Sequence, residues 1–281
     1  MVIPPILFLL VALAQPSDRL RVTFLDVGQG DAILLQTPSQ KTVLIDGGPD
    51  PGALALELGQ RLPFWERTLD LVILTHPDSD HLSGLMGLLE RYDIGMVVQC
   101  GTECASSSSE PAFLAWAKAL ERNGTKALDA ETGIGIDLKD GAFIAILHPP
   151  PDPLTGTASD PNNNSVVLRI TYGDATFLLP ADIEAFGERY LARHTESLAS
   201  TVLRVAHHGS NTSTTRQFLE AVAPMFAVIS LAADNSYGHP HPQALETLGD
   251  MLPEDRILLT SEHGSIQFQT DGRRLWLKTE R

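Results

Sequence analysis

The hydrophobic pattern along the chain changes period several times. RVTFLDV, DAILLQT and KTVLIDG read as three short strands, and Gly-rich or polar turns separate them. ALALELGQRL then takes up helical spacing. LDLVILT, Leu69 to Thr75, is a continuous apolar run of strand length, the pattern of a buried strand. HLSGLMGLLERY places Leu82, Leu85, Met86 and Leu89 at helical spacing, and GMVVQC reads as the next strand. PAFLAWAKALERNG predicts a helix with Pro111 near its start and Gly124 past its end.

From Thr125 to about Asp160 the pattern is less regular, with one strand, FIAILHP, and a Pro-rich turn. SVVLRITYGDATFLLPAD predicts a hairpin around Tyr-Gly-Asp, followed by the helix IEAFGERYLARH. TVLRVAHHGS, MFAVISL, RILLT, SIQFQT and RRLWLKT predict strands, and TTRQFLEAVA and PQALETLGDML predict helices. Strands dominate both ends of this order and alternate with helices in the middle. That order predicts a layered α/β protein, two sheets packed together with helices outside, forming one domain over residues 20–281.

Polar chemistry collects where the predicted strands end. LDLVILT runs into His76, Asp78, Asp80 and His81; FLLPAD ends in Asp182; LRVA ends in His207 and His208; VISLAADNSYG leads to His239. In layered α/β folds the rim where strands emerge is where sites are built. Residues two apart in His76-x-Asp78-x-Asp80-His81 can point the same way, so two pairs of ligands can serve two neighbouring ions, with Asp182 as a bridge. Such a pair of ions lowers the pKa of a bridging water toward neutrality and binds the oxygens of a phosphoryl or acyl group. The competing reading is that Asp78, Ser79 and Asp80 cap the helix that follows. A cap, however, does not require four ligating residues in six positions. If LRVA alternates as a strand, the rings of His207 and His208 face opposite ways and only one enters the site directly; His208 is then the candidate proton donor to a leaving oxygen or phosphate contact, with His207 as a candidate further ligand or substrate contact. Asp46 in LIDGG is a candidate partner for orienting a ligating histidine, and Asp31 flanks the turn VGQG. The isolated His148, His194 and His263 are expected to be structural.

The motif THPDSDHLSG resembles the metal signature of the metallo-β-lactamase fold superfamily, His-x-His-x-Asp-His, with Asp78 in place of the second His. Together with FLDVGQGDA, LIDGG, ILHPP, NNNSVVL, AHHGSNTST and YGHPHPQALETL, in order from Phe24 through Gly272, it resembles the extracytoplasmic domain of ComEC-type competence proteins. The resemblance implies a four-layer αββα sandwich with a one- or two-metal site at one rim. It places His76 and Asp78 on the first ion, Asp80 and His81 on the second, Asp182 between them and His239 as the last metal histidine. It implies catalytic roles for Asp80 and His208, and puts Asn164 where relatives carry another histidine. Two departures stand out. Pro180-Ala181 precedes the bridging aspartate in place of Thr-Gly, and the family's polytopic membrane portion is not in these residues, so a channel would be a separate partner. Asp for His and Asn for His make the site richer in oxygen, which shifts preference toward Mn²⁺, with Zn²⁺ and Mg²⁺ as alternatives.

Composition bears on the substrate. The resemblance implies a hydrolase of phosphodiesters, with single-stranded DNA foremost. A formal net charge of −15 over 281 residues argues against a broad basic surface for nucleic acid, and only scattered cations such as Arg204 and Arg216 stand near the rim motifs. A small phosphodiester, an ester or a lactam is the alternative substrate, and a non-catalytic module binding DNA or a partner is a third reading. Residues 1–14 carry no charged side chain and end in Ala-Leu-Ala, a short export signal in pattern and too short to span a bilayer. In an exported protein Cys100 and Cys104 of CGTEC could close a small disulfide loop; two free thiols are the alternative.

Overall fold

The structure, a computed structural model, describes residues 18–281. The export signal read at residues 1–14 lies outside the described residues. The first half of the chain forms β1 (Leu20–Phe24), β2 (Ile33–Gln36), β3 (Thr42–Ile45), helix α1 (Pro51–Arg61), β4 (Thr68–Leu69), β5 (Leu71–Leu74), α2 (Ser79–Met86), β6 (Asp93–Ile94), β7 (Val97–Gln99), α3 (Glu110–Asn123), β8 (Ala127–Asp129) and β9 (Gly135–Asp137). The second half forms β10 (Ala142–His148), α4 (Asp160–Asn163), β11 (Val167–Tyr172), β12 (Ala175–Leu179), α5 (Ala185–His194), β13 (Val202–Arg204), α6 (Arg216–Val222), β14 (Phe226–Ile229), α7 (Pro242–Gly249), β15 (Ile257–Leu259), α8 (Thr260–His263), β16 (Ile266–Thr270) and β17 (Leu275–Thr279).

These strands make two large sheets, in the orders β17-β16-β1-β2-β3-β5-β7-β8 and β15-β14-β13-β12-β11-β10-β9. The period-two pattern decides which residue faces which layer. Val22, Phe24, Ile33, Val43, Ile45 and Ile73 of the first sheet pack against Ile144, Leu168, Ile170, Phe177, Val202 and Val228 of the second. The alternate residues Leu34, Leu44, Val72 and Leu74 pack outward on Leu54 and Leu58 of α1, Leu82 and Leu85 of α2, and Trp116 of α3. On the other side Leu178, Leu203 and Ile229 meet Leu191 of α5, Phe218 of α6 and Leu248 of α7. The result is the αββα sandwich.

Some local readings change. The helix after LDLVILT stops at Met86, and Leu88–Glu90 form a separate 3₁₀ turn. Gly87 interrupts it where a Cβ would meet the Pro51 ring at 2.6 Å. The irregular stretch after Thr125 contains two short strands, β8 and β9, that add to the sheet edges. Cys100 and Cys104 are joined in a disulfide, and both are fully buried.

The second half of sheet one (β3, β5, β7, β8) and of sheet two (β12 to β15) is parallel. Parallel strands bring their carboxyl ends to one edge, the usual location of ligand sites in open α/β sheets. β5 delivers His76, β12 delivers Asp182, β13 delivers His207 and His208, and β14 leads to the loop of His239.

Candidate metal centre

Pro77 keeps the residue before it out of helical geometry, and α2 starts only at Ser79, so His76 and Asp78 remain extended at the end of β5. Asp78 occupies the N-cap position without making a cap hydrogen bond; its carboxylate lies 3.9 Å from His76 Nε2 instead. The first turn of α2 carries Asp80 and His81 to the rim. Helix and loop touch backbone to backbone: Gly47 N–H donates to His81 O, and Gly84 N–H donates to Gly48 O, both at 2.8 Å. Only glycine permits this approach, because a Cβ on Gly84 would lie 1.8 Å from Gly47 O.

Four groups converge. Oδ2 of Asp182 lies 3.5 Å from His81 Nε2, 3.5 Å from His208 Nε2 and 3.8 Å from His207 Nε2, and Asp80 Oδ2 lies 3.2 Å from His208 Nε2. Asp80, His81, Asp182 and His208 each offer one ligand atom within 4.8 Å of the others. His76 adjoins this set, its ring centroid 4.1 Å from that of His81, and the His239 ring stands 5.8 Å from His207 and 6.4 Å from His208. Nε2 of His76, His81 and His208 and Nδ1 of His239 are buried without a hydrogen-bond partner. Orphaned buried nitrogens are costly, and a divalent cation satisfies them. The donor set therefore fits a metal ion.

The outward nitrogens are held by a supporting layer. His81 Nδ1 meets Asp46 Oδ2 at 2.8 Å, and Asp46 also accepts from Thr75 N–H and Thr75 Oγ1. Nδ1–H of His208 donates to Ser230 O at 2.8 Å, which leaves Nε2 for the site. Asp46, Ala181, His207 and His208 are non-glycine residues with left-handed φ of 57°, 51°, 50° and 54°. Such conformations cost free energy and cluster at functional sites. They also correct the alternation expected for the two histidines. β13 ends at Arg204, and the left-handed pair brings both rings to Asp182.

Charge follows this geometry. Burial works against a cationic His81 or His208, and neighbouring carboxylates, Asp182 foremost, outweigh it: His81 is raised well above its usual value and His208 to about 9. Burial also works against the Asp182 anion, and the rings of His208, His81 and His207 overcome it, holding its carboxyl well below the usual range. His239 is lowered to about 4 by burial first, and then by the neighbouring rings of His208 and His207.

Other expectations fall differently. Asn164 is turned away: its amide donates to Leu154 O and Asp160 O and accepts from Leu154 N–H, closing the Pro-rich loop. Arg204 is no surface cation. It is fully buried and bonds Asp31 and Asp182. Its signal in the sequence is one charge inside the apolar run VLRVA, which demands an internal partner. Arg216 pairs with Asp250. His148, His194 and His263 each bond a backbone carbonyl through Nδ1. The pocket over the centre is about 500 Å³, and among the described residues no Lys or Arg lines it. Tyr237, which the sequence reading passed over, stands on its rim.

Residues 25–232 match the family model of the metallo-beta-lactamase superfamily. The chain is 30% identical to ComE operon protein 3 of Bacillus subtilis, over 95% of this chain and 35% of that one. It is 31% identical to competence protein ComA of Neisseria gonorrhoeae, over 91% of this chain and 33% of that one. It thus spans about a third of the length of these relatives. Among solved structures it resembles a metallo hydrolase from Ignicoccus hospitalis, with a TM-score of 0.53 and 13% identity over 89% of this chain and 98% of that one. It also resembles Zn²⁺-bound PqqB from Methylobacterium extorquens, with a TM-score of 0.51 and 12% identity over 82% and 85%. By fold, motif and sequence the chain belongs to the metallo-beta-lactamase superfamily.

Proposed function

We propose that this chain is a metal-dependent hydrolase of phosphodiester bonds, acting on single-stranded DNA outside the cytoplasm. One observation carries the hydrolase reading: buried, unpartnered imidazole nitrogens gathered around the carboxylates of Asp80 and Asp182. His76, Asp78, Asp80, His81, Asp182 and His239 would hold one or two ions, with His208 within reach as a further ligand. Bound divalent metal would supply Lewis-acid stabilisation of phosphoryl charge and an acidified water. Asp80, which lines the pocket, would position the attacking water. His208, expected from the sequence to donate the proton, is buried against Asp80 and Asp182, so the more exposed His207 would take over the contact with substrate or the return of a proton to the leaving oxygen.

DNA as substrate rests on the similarity to competence proteins, and the extracytoplasmic setting on the same similarity together with the Cys100–Cys104 disulfide. A membrane channel is the partner proposed on the same similarity; no helix of the described residues is long and apolar enough to cross a membrane. Asp78 in the ligand set favours Mn²⁺, with Zn²⁺ or Mg²⁺ as alternatives. Stoichiometric, tightly held Zn²⁺ in natively purified protein would overturn the Mn²⁺ preference.

A small phosphodiester is the second reading, favoured by the acidic chain and a pocket without lining cations. The test is incubation with single-stranded DNA, duplex DNA and bis-p-nitrophenyl phosphate, with and without Mn²⁺, beside Asp80→Ala. Metal-dependent DNA cleavage lost in the variant supports the first reading. Turnover of the small ester alone supports the second, and no turnover at all refutes both.

A further inference from the structure

Tyr237 has no place in the core and none among the metal donors. The residue is 68% exposed, yet it lines the pocket over the metal centre. An exposed aromatic face beside a site is surface that a flat ligand ring can cover. The ring lies nearly parallel to that of His239, at 24° and 5.8 Å between centroids. A side chain placed among the metal donors is thereby continued outward by a flat face.

The loop that carries Tyr237 is fixed before any ligand arrives. Asn235 donates through Nδ2 to Ala232 O at 3.0 Å and to His239 O at 2.6 Å, and its Oδ1 accepts from His239 N–H at 3.0 Å. Beyond the loop His241 N–H donates to Gly209 O at 2.8 Å, tying it to the turn of His207 and His208. A platform fixed in this way loses little entropy on binding. The lining also includes the apolar side chains of Pro51, Leu82 and Met86, beside hydroxyls such as those of Ser83 and Ser109. Among the described residues no Lys or Arg lines the pocket, so phosphates away from the metal centre meet no cation from them there. The walls instead suit a flat, uncharged ring.

We infer that Tyr237 is the stacking platform for an unpaired nucleobase next to the scissile phosphodiester. This rests on the phosphodiesterase reading above and specifies its substrate. A base inside a duplex is already stacked and paired, so the subsite selects single strands. Stacking on an aromatic side chain is sequence-tolerant, and its loss on alanine substitution corresponds to about tenfold or more in affinity per base.

The test compares the dinucleotide TpT with analogues in which one base or the other is replaced by an abasic tetrahydrofuran unit, using the wild-type chain, Tyr237→Ala and Tyr237→Phe, all with Mn²⁺. Tyr237→Ala is expected to raise KM for TpT about tenfold or more with little change in kcat. Tyr237→Phe is expected to stay within about twofold of wild type, because the ring face is retained. One of the two abasic analogues should respond little to the alanine variant. Equal sensitivity of TpT and both abasic analogues, or no effect on any, overturns the inference. Calorimetric binding of a non-hydrolysable methylene phosphonate analogue of TpT separates this from the parent reading. Tyr237-dependent binding without turnover of TpT would leave the subsite standing and remove the phosphodiesterase. Turnover without Tyr237 dependence would do the reverse. In the same binding assay a ten-residue thymidine strand that competes better than the dinucleotide identifies polynucleotide as the source of the base; equal competition identifies a free dinucleotide, and either result supports the subsite.

Discussion

Arg204 Nη1 lies 3.1 Å from Asp182 Oδ1, while its Nε and Nη2 grip Asp31 at 3.0 and 2.5 Å. One buried guanidinium thus links the end of β13 in the second sheet to the loop before β2 in the first. It also divides the work of the Asp182 carboxylate. Oδ1 faces the guanidinium, and Oδ2 faces His81, His207 and His208.

Replacing Arg204 by Met leaves Asp31 and Asp182 buried without their cation. The expected loss is about 3–5 kcal/mol, or roughly 10 °C in Tm. Arg204→Lys should fall between, since one ammonium cannot hold two carboxylates with a planar fork. Thermal melting checks the stability, and Mn²⁺ titration by calorimetry checks the metal. If Arg204→Met retains both wild-type stability and wild-type metal affinity, the guanidinium does not support Asp182.

Gly84→Ala sets a methyl group against Gly47 O, where a Cβ would approach to 1.8 Å. The three nearest atoms are all backbone of Gly47, so no flexible side chain can yield, and α2 must shift with Asp80 and His81 at its first turn. Destabilisation of about 2 kcal/mol or more is expected, together with metal binding weakened about tenfold or more, the scale seen when ligand support is lost. Denaturant melts and metal content after dialysis measure the two effects. Wild-type values in both would mean that the helix does not need this close approach.

Removing metal should destabilise the fold, because the imidazole nitrogens lose their cation. With free metal at a hundred times its Kd, the stabilisation is about 2.7 kcal/mol. Chelation should lower Tm, and Mn²⁺ added back should restore it. Asp46→Asn should reduce the restored shift, because His81 loses a charged partner at 2.8 Å. A Tm indifferent to chelator and metal would argue against a metal centre.

Glu188 gives the fold a pH dependence away from the metal residues. It is fully buried and accepts from the backbone N–H groups of Thr214 and Thr215. Burial raises its pKa to about 7 from 4.5, against the pull of those hydrogen bonds. Between these two values the folded state keeps a proton that the unfolded chain has released, so stability falls as pH rises through the window. The term amounts to about 3 kcal/mol, complete below pH 4.5 and gone above about pH 7. Glu188→Gln should remove it. Relative to wild type, the variant should gain stability between pH 5 and pH 8, measured by denaturant unfolding at both. A difference that does not change with pH would place the Glu188 pKa near its ordinary value.

The sequence alone carried the layers and most of the site. Alternation in RVTFLDV puts Val22 and Phe24 on one face, because adjacent side chains of a strand must point to opposite faces; in KTVLIDG both faces are apolar, and the structure decides that Val43 and Ile45 face the shared core. The cluster His76-Pro-Asp78-Ser-Asp80-His81 was legible because apolar strands rarely end in so many ligating side chains. Tertiary structure decided what such local rules do not reach. His207 and His208 both face Asp182 because their backbone turns left-handed after β13, a conformation set by packing and not by strand alternation. Asn164 closes a loop instead of facing the centre, since its amide meets the backbone of Leu154 and Asp160 first. Arg204 looked like a rim cation, and became the buried link between sheets only when a residue 173 positions away, Asp31, was brought against it. Periodicity is a property of neighbours in the chain, whereas a buried ion pair depends on which strand ends the fold carries to the same rim.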